Sequence, residues 1–186
     1  MSIPVITRRF ATPRGAMRLA LSYGEVALGL SGERKPDPGE VRRLVFVCHG
    51  NICRSAYADV LARRAGANVA SFGLSTATGR PAHEPVLELA ATRGVDTSMH
   101  RATDIDDFVP MEGDLLLAME TRHARLLGTA PTVSHLPRLL LGSFGSPPVP
   151  HLHDPYDEDD SYLPTCLTRI ERAVAALVRS FPSASA

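Results

Sequence analysis

The strongest chemical signal in this 186-residue sequence is one short run, Cys48-His-Gly-Asn-Ile-Cys-Arg-Ser55. It follows an unbroken apolar stretch, Leu44 to Cys48, and precedes sequence of helical composition, Ser55 to Ala65. A loop of this length entering a helix can turn its backbone N–H groups inward, those of His49, Gly50, Asn51, Ile52 and Cys53, as a nest for an anion. Gly50 and Asn51 suit the positive φ angles that such a turn demands. The helix N-terminus adds partial positive charge, and Arg54 can grip two phosphate oxygens as a rigid fork. The same field stabilises a thiolate: cysteines at helix N-termini or beside cations fall to a pKa of roughly 3.5–7.5, from about 8.5 when free. Cys48 is therefore expected to be anionic at neutral pH and directed at phosphorus. Ser55 is expected to donate a hydrogen bond to its sulfur.

An ester oxygen leaves poorly unless protonated, so an acid must lie opposite the nucleophile. His153-Asp-Pro-Tyr156 supplies the candidate. Pro155 stiffens the loop that carries Asp154 and Tyr156 shields it. Facing a bound dianion, the Asp154 carboxyl is expected to hold its proton more tightly. It then serves as acid in a first step and as base toward water in a second.

The elements that must position these residues alternate along the chain. Strands are predicted at Leu44–Cys48, Val69–Phe72, Leu115–Met119 and Thr132–Leu136, the first and third as continuous apolar runs buried on both faces. Helices are predicted over 55–65, with Tyr57, Val60, Leu61 and Ala65 on one face, over 83–93, stopped by Gly94, and over 120–127, ending at Gly128. The last spans 161–181, with Pro164 in its first turn and Leu167, Ile170, Val174, Leu177 and Val178 buried. Such alternation implies right-handed crossovers and a parallel sheet covered on both faces, the α/β class. Ligands bind beyond the carboxyl ends of such strands, where Cys48 falls.

Residues 1–40 read as a separate N-terminal extension, and residues 41–186 as the domain that carries the chemistry. Residues 15–29 can form an amphipathic helix with Met17, Leu21, Leu28 and Ala20 on one face, followed by a breaker-rich linker, Ser31 to Gly39. The basic, acid-poor start shares its composition with a transit peptide. An extra helix that docks on the domain, or pairs two chains as a homodimer, is the reading taken. Twenty Lys+Arg balance twenty Asp+Glu, so nothing draws the chain to nucleic acid or an anionic membrane. No apolar run is long enough to span a bilayer. Three cysteines, an odd number, argue against a secreted disulfide framework and for a reducing, cytoplasmic setting.

With Asp154-Pro-Tyr156 following it by about a hundred residues, the segment Val47 to Ser55 resembles the low-molecular-weight protein tyrosine phosphatases. The likeness extends over roughly residues 42–180 through Ser71-Phe-Gly73, Gly79-Arg-Pro81, Ser98-Met-His-Arg101, Asp114-Leu-Leu-Leu-Ala-Met119 and Leu140-Leu-Gly-Ser-Phe144. It implies a three-layer fold with a four-stranded parallel sheet. It also implies hydrolysis of phosphomonoesters, phosphotyrosine above all, through a phosphocysteine, with no metal or cofactor, and inhibition by phosphate-like oxyanions. By position Cys48 becomes the nucleophile, Arg54 the clamp and Asp154 the acid, while Asn51, Ser71 and His100 brace the loop.

Departures from the family pattern are local. Ala56 replaces a common proline. Thr76, Ala77 and Thr78 stand where an aromatic usually walls the slot for the substrate ring, leaving Tyr156 as the one wall and His49 as a rim residue. A weaker preference for phosphotyrosine over other phosphomonoesters is expected. Cys53 is either a loop filler or the partner of an oxidised Cys48 in a protective disulfide, and Cys166 is a small apolar filler. His151 and His153 lack further metal-ligand partners and read as incidental. The acidic run Asp157 to Asp160 reads as a solvated flank of the last helix. Two rival functions remain: an arsenate reductase drawing on an external thiol, since residues 115–130 hold no relay cysteines, and a phosphate-binding regulatory module without turnover.

Overall fold

The apolar run Leu44 to Val47 shows no alternation because both faces of its strand are covered. In the structure, a computed structural model describing residues 8–156 and 161–185, β1 (Arg43–Cys48) is a central strand. It pairs in parallel with β2 (Val69–Gly73) on one side, Leu44 opposite Val69 and Cys48 opposite Gly73. On the other side it pairs with β3 (Asp114–Ala118), Arg43 opposite Asp114 and Val47 opposite Ala118. β4 (Arg138–Leu140) extends β3, giving the order β2-β1-β3-β4 among the described residues.

Alternate side chains build two cores. Leu44, Phe46, Leu115 and Leu117 pack with Tyr57, Ala58 and Ala62 of α2 (Arg54–Arg64) and with Leu167, Ile170, Val174 and Leu177 of α5 (Leu163–Ser180). Val86 and Ala90 of α3 (Glu84–Thr92) join the same side. On the opposite face Val45, Val47, Leu116 and Ala118 meet Ala124 and Leu127 of α4 (Thr121–Thr129). The chain leaves β1 toward β2 and returns to β3 on the other side, so the connections part beyond the ends of β1 and β3. That crevice is where an open α/β sheet takes its ligands.

Three expectations are corrected. The fourth strand is Arg138–Leu140, not 132–136; Val133 and Leu136 are buried in turns beneath α4, so their apolar character reflects packing rather than pairing. Helix α4 continues through Gly128 to Thr129 and stops before Pro131, which disfavours helical geometry in the residue ahead of it. The breaker-rich stretch is no free linker. Arg34 exchanges two backbone hydrogen bonds with Arg138, each 2.8 Å, and Glu33 accepts from the Leu140 N–H at 3.1 Å.

The N-terminal helix α1 spans Pro13–Ala27, with Thr12 accepting from the Gly15 N–H at 3.0 Å as N-cap and Pro13 in the first turn. Its orientation reverses the expected one. Gly15, Leu19 and Ser22 face inward, whereas Met17, Leu21 and Leu28 are 59 %, 61 % and 74 % exposed. Small side chains let the helix backbone approach the domain closely, which apolar periodicity does not reveal. The acidic run Asp157 to Asp160 and residues 1–7 of the extension lie outside the described residues.

Candidate active site

Cys48 ends β1 and Arg54 opens α2, so the loop between them stands at the crevice mouth. Asn51 holds it in shape from a left-handed conformation, φ +50°. Its Nδ2 donates to Ser55 Oγ at 2.8 Å, its Oδ1 accepts from the Thr103 N–H at 2.9 Å, and its carbonyl lies 2.7 Å from His100 Nε2. A carbonyl only accepts, so His100 donates through Nε2. Burial pushes the His100 pKa down, against the opposing pull of that carbonyl, and favours the neutral ring. Leu74 and Ser75 donate backbone hydrogen bonds to the carbonyls of Cys48 and His49. Gly73 permits this approach, since a Cβ there would lie 2.9 Å from the His49 oxygen and 3.1 Å from the Asn51 nitrogen.

The Cys48 sulfur lies 2.9 Å from Ser55 Oγ and 3.3 Å from the Asn51 nitrogen. Because Ser55 already accepts from Asn51, its proton is free for the sulfur. Two donors thus converge on one sulfur atom, an arrangement that favours negative charge there.

Arg54 is wholly buried. Nη1 donates to Glu120 Oε1 at 2.6 Å and to the Leu152 carbonyl at 2.8 Å; Nη2 donates to Asp154 Oδ2 at 2.5 Å. Its Nε is buried with no partner among the described residues. Burial alone would favour the neutral guanidine, but the charges of Asp154, Glu120 and Cys48 outweigh it and keep Arg54 cationic. Glu120 is ionised on the same logic: burial pushes its carboxyl up, while Arg54, His123 and His151 drive it well below the usual range. Arg122 also approaches it, Nε to Oε2 at 2.7 Å.

The sequence places Cys48 and Asp154 about a hundred residues apart, and the fold brings both to the wall of one cavity of about 210 Å³, with the buried Arg54 bonded to Asp154. Cys48, His49, Gly50, Ile52, Cys53, Ser75, Arg80, Asp154 and Tyr156 line the cavity. Tyr156 is 40 % exposed, and its ring lies 4.9 Å from that of His83. The Thr76 N–H donates to Asp104 and the Thr78 hydroxyl to Asp107, and Ser75 and Arg80, not residues 76–78, line the cavity where an aromatic wall is usual. Cys53 and Cys48 are both free thiols, and burial pushes the Cys53 thiol up.

Ser71 does not join the loop. It pairs with Phe46 within the sheet, and among the described residues its hydroxyl makes no bond to residues 48–55. His151 is not incidental either: buried, it lies 3.7 Å from Glu120 Oε2 and 3.3 Å from His153 Nδ1. Sequence reasoning passes over Glu120, Ser75, Arg80, Thr103 and the Leu152 carbonyl. For Glu120 one signal exists, an acid just beyond the second buried strand, where the next helix begins.

Burial sets the pH response of this cluster. It pushes His151 down to about 4 against the opposing pull of Glu120. It pushes His123 down to about 3 against the same pull. An unfolded histidine takes up its proton near pH 6.5, so below that the unfolded chain binds protons the folded one refuses. Stability should be flat above about pH 6.5 and fall as pH drops toward 4, by on the order of 2 kcal/mol per histidine by about pH 4.5. Urea midpoints measured across that range check this, and His151→Gln should flatten the slope by about half.

Comparison with known proteins places these features in context. A family model described as low molecular weight phosphotyrosine protein phosphatase matches residues 43–184. A probable low molecular weight protein-tyrosine-phosphatase, EpsP of Ralstonia solanacearum, is 29% identical over 148 residues, 74% of this chain and 94% of that protein. The crystal structure of the Erwinia amylovora tyrosine phosphatase AmsI superposes with a TM-score of 0.64 at 26% identity, covering 76% of this chain and 93% of that one. The tyrosine phosphatase Wzb from Escherichia coli K30, solved with sulphate, shares the fold at 24% identity and a TM-score of 0.64, over 75% of this chain and 97% of its own.

Proposed function

The chain belongs to the low molecular weight phosphotyrosine protein phosphatase family and is a phosphatase, and from that premise we propose that it hydrolyses protein phosphotyrosine through a phosphocysteine at Cys48. The observation that carries the proposal is the meeting of Cys48 and Asp154 at one cavity, with Arg54 bonded to that Asp154 carboxylate.

The phosphoryl oxygens take the loop N–H groups together with Arg54 Nε, a buried donor without a partner among the described residues, and Nη2. Phosphate and Asp154 compete for Nη2, so binding frees the carboxyl to face the leaving group. The Cys48 sulfur then attacks phosphorus: an S–P bond forms, the ester P–O bond breaks, and the Asp154 proton passes to the departing oxygen. In the second step a water loses a proton to Asp154 and attacks phosphorus. The S–P bond breaks, returning the thiolate to the Ser55 and Asn51 donors and releasing phosphate.

The proposal extends to setting and substrate range. The named relatives are bacterial, no helix of the described residues is long and apolar enough to cross a membrane, and the cysteines are unpaired. These support a bacterial cytoplasm. Thr76, Ala77 and Thr78, standing where an aromatic is usual, support a relaxed preference for phosphotyrosine, and phosphate-like oxyanions should compete for the same donors.

Rapid acid quench with a labelled aryl phosphate tests the central step. A burst of released phenol of about one equivalent, with label on Cys48, is the expected result. Steady hydrolysis with neither burst nor label would refute the covalent route.

A further inference from the structure

The segment before residue 43 lies outside the family-matched span, yet it is built against the loop that carries Asp154. The α1 backbone at Gly15 faces the His153 ring, so that a Cβ there would lie 3.3 Å from His153 Cγ. The same Cβ would lie 2.1 Å from the Phe10 carbonyl oxygen, so this turn has no room for a side chain. Eight residues on, Tyr23 Oη donates to the Pro148 carbonyl at 2.6 Å. Between them Leu19 enters the buried cluster that holds Val149 and Leu152. Both ends of the segment are anchored elsewhere. Arg169 of α5 donates to the Arg9 carbonyl at 2.8 Å, and Glu25 pairs with Arg125 of α4 at 2.7 Å.

On its inner side the loop is attached mainly through groups of the site itself. Leu152 donates to the Met119 carbonyl and accepts from Arg54, and Asp154 rests on Arg54 Nη2. On the reading above, phosphate takes that Nη2 donor just when Asp154 must deliver its proton. What then backs the carboxyl is the residue before it, His153, whose ring lies against α1 at Gly15 as well as beside the His151 and Tyr162 rings.

We propose that α1 is an intramolecular strap that fixes the Asp154 loop, with Gly15 and Tyr23 as positioning residues for proton transfer to the leaving group. The inference rests on Asp154 being the general acid, and it adds to that reading a dependence on residues that never touch substrate. A strap of this kind acts on the proton and not on the nucleophile. Its loss should show only where the leaving group needs protonation.

The test compares kcat/KM for phenyl phosphate, whose leaving group needs a proton, with that for 2,4-dinitrophenyl phosphate, whose leaving group does not. Gly15→Val and Tyr23→Phe are each measured in the full chain. Each is expected to lower the phenyl phosphate value by about tenfold, a partial loss of general-acid catalysis, and to leave the dinitrophenyl value within about twofold. In an Asp154→Asn background the same changes should have no further effect on phenyl phosphate. Equal losses on both substrates, or no loss on either, would overturn the strap. Tyr23→Phe removes a single hydroxyl, so it decides the matter should Gly15→Val fold poorly. Asp154→Asn alone tests the underlying reading: if it spares phenyl phosphate as fully as the dinitrophenyl ester, the acid assignment fails irrespective of α1.

Discussion

Cys48→Ser lowers kcat toward an aryl phosphate by on the order of 10⁴-fold or more, while the protein stays folded and still binds inorganic phosphate. The expectation follows from what surrounds the sulfur. Ser55 Oγ at 2.9 Å and the Asn51 N–H at 3.3 Å are placed to hold an anion, and sulfur becomes an anion far more readily than a serine oxygen does. Serine at 48 keeps the bond to Ser55 and the shape of the loop but offers no nucleophile near neutral pH. Stability should change by no more than about 1 kcal/mol, because no cavity opens and no buried polar group loses its partner. Steady-state kinetics with phosphate titration by calorimetry separates the two effects. Retained hydrolysis would remove Cys48 from the mechanism, and lost phosphate binding would mean the loop itself had collapsed.

Glu120→Ala is expected to destabilise the fold by about 3–5 kcal/mol, lowering the melting temperature by about 10 °C. Glu120 is buried at the end of β3 and accepts from Arg54, which is itself wholly buried. Removing the carboxylate leaves a guanidinium cut off from water and held by Asp154 and one carbonyl alone. The cost comes from that uncompensated charge, more than from the lost bond. Arg122→Ala is the contrasting case. Its side chain is 45% exposed, so losing its contact with the same carboxylate should cost at most about 1 kcal/mol. Thermal unfolding of both variants checks the pair, and similar losses would mean that burial does not set the value of this cluster.

How far the sequence alone reveals the molecule depends on whether a feature is local. The loop from Cys48 to Ser55 is contiguous, so its turn residues, its cation and its thiol can be read together. The α/β class follows from two apolar runs too continuous to be half-exposed. Glu120 is different, because its place beside Arg54 exists only once β3 pairs with β1. Ser71 misleads for the opposite reason: the family pattern places it at the loop, but it lies on β2 opposite Phe46, and among the described residues its hydroxyl makes no bond to residues 48–55. The face of α1 is misread because Gly15 and Ser22, with Leu19 between them, make the contact, and Met17 and Leu21 do not. At the fourth strand, Val133 and Leu136 are as apolar as strand residues should be, yet are buried in turns.

The pairing of Arg34 with Arg138 has a consequence for any shortened form of the chain. A sheet whose outermost strand is bare offers its unpaired amides and carbonyls to any other chain, and so invites aggregation by strand addition. Here β4 is only three residues long, and the polypeptide just ahead of the family-matched span lies along it. Trimming the molecule to that span would strip away its own guard against self-association, even with every residue of the phosphate-binding loop still in place.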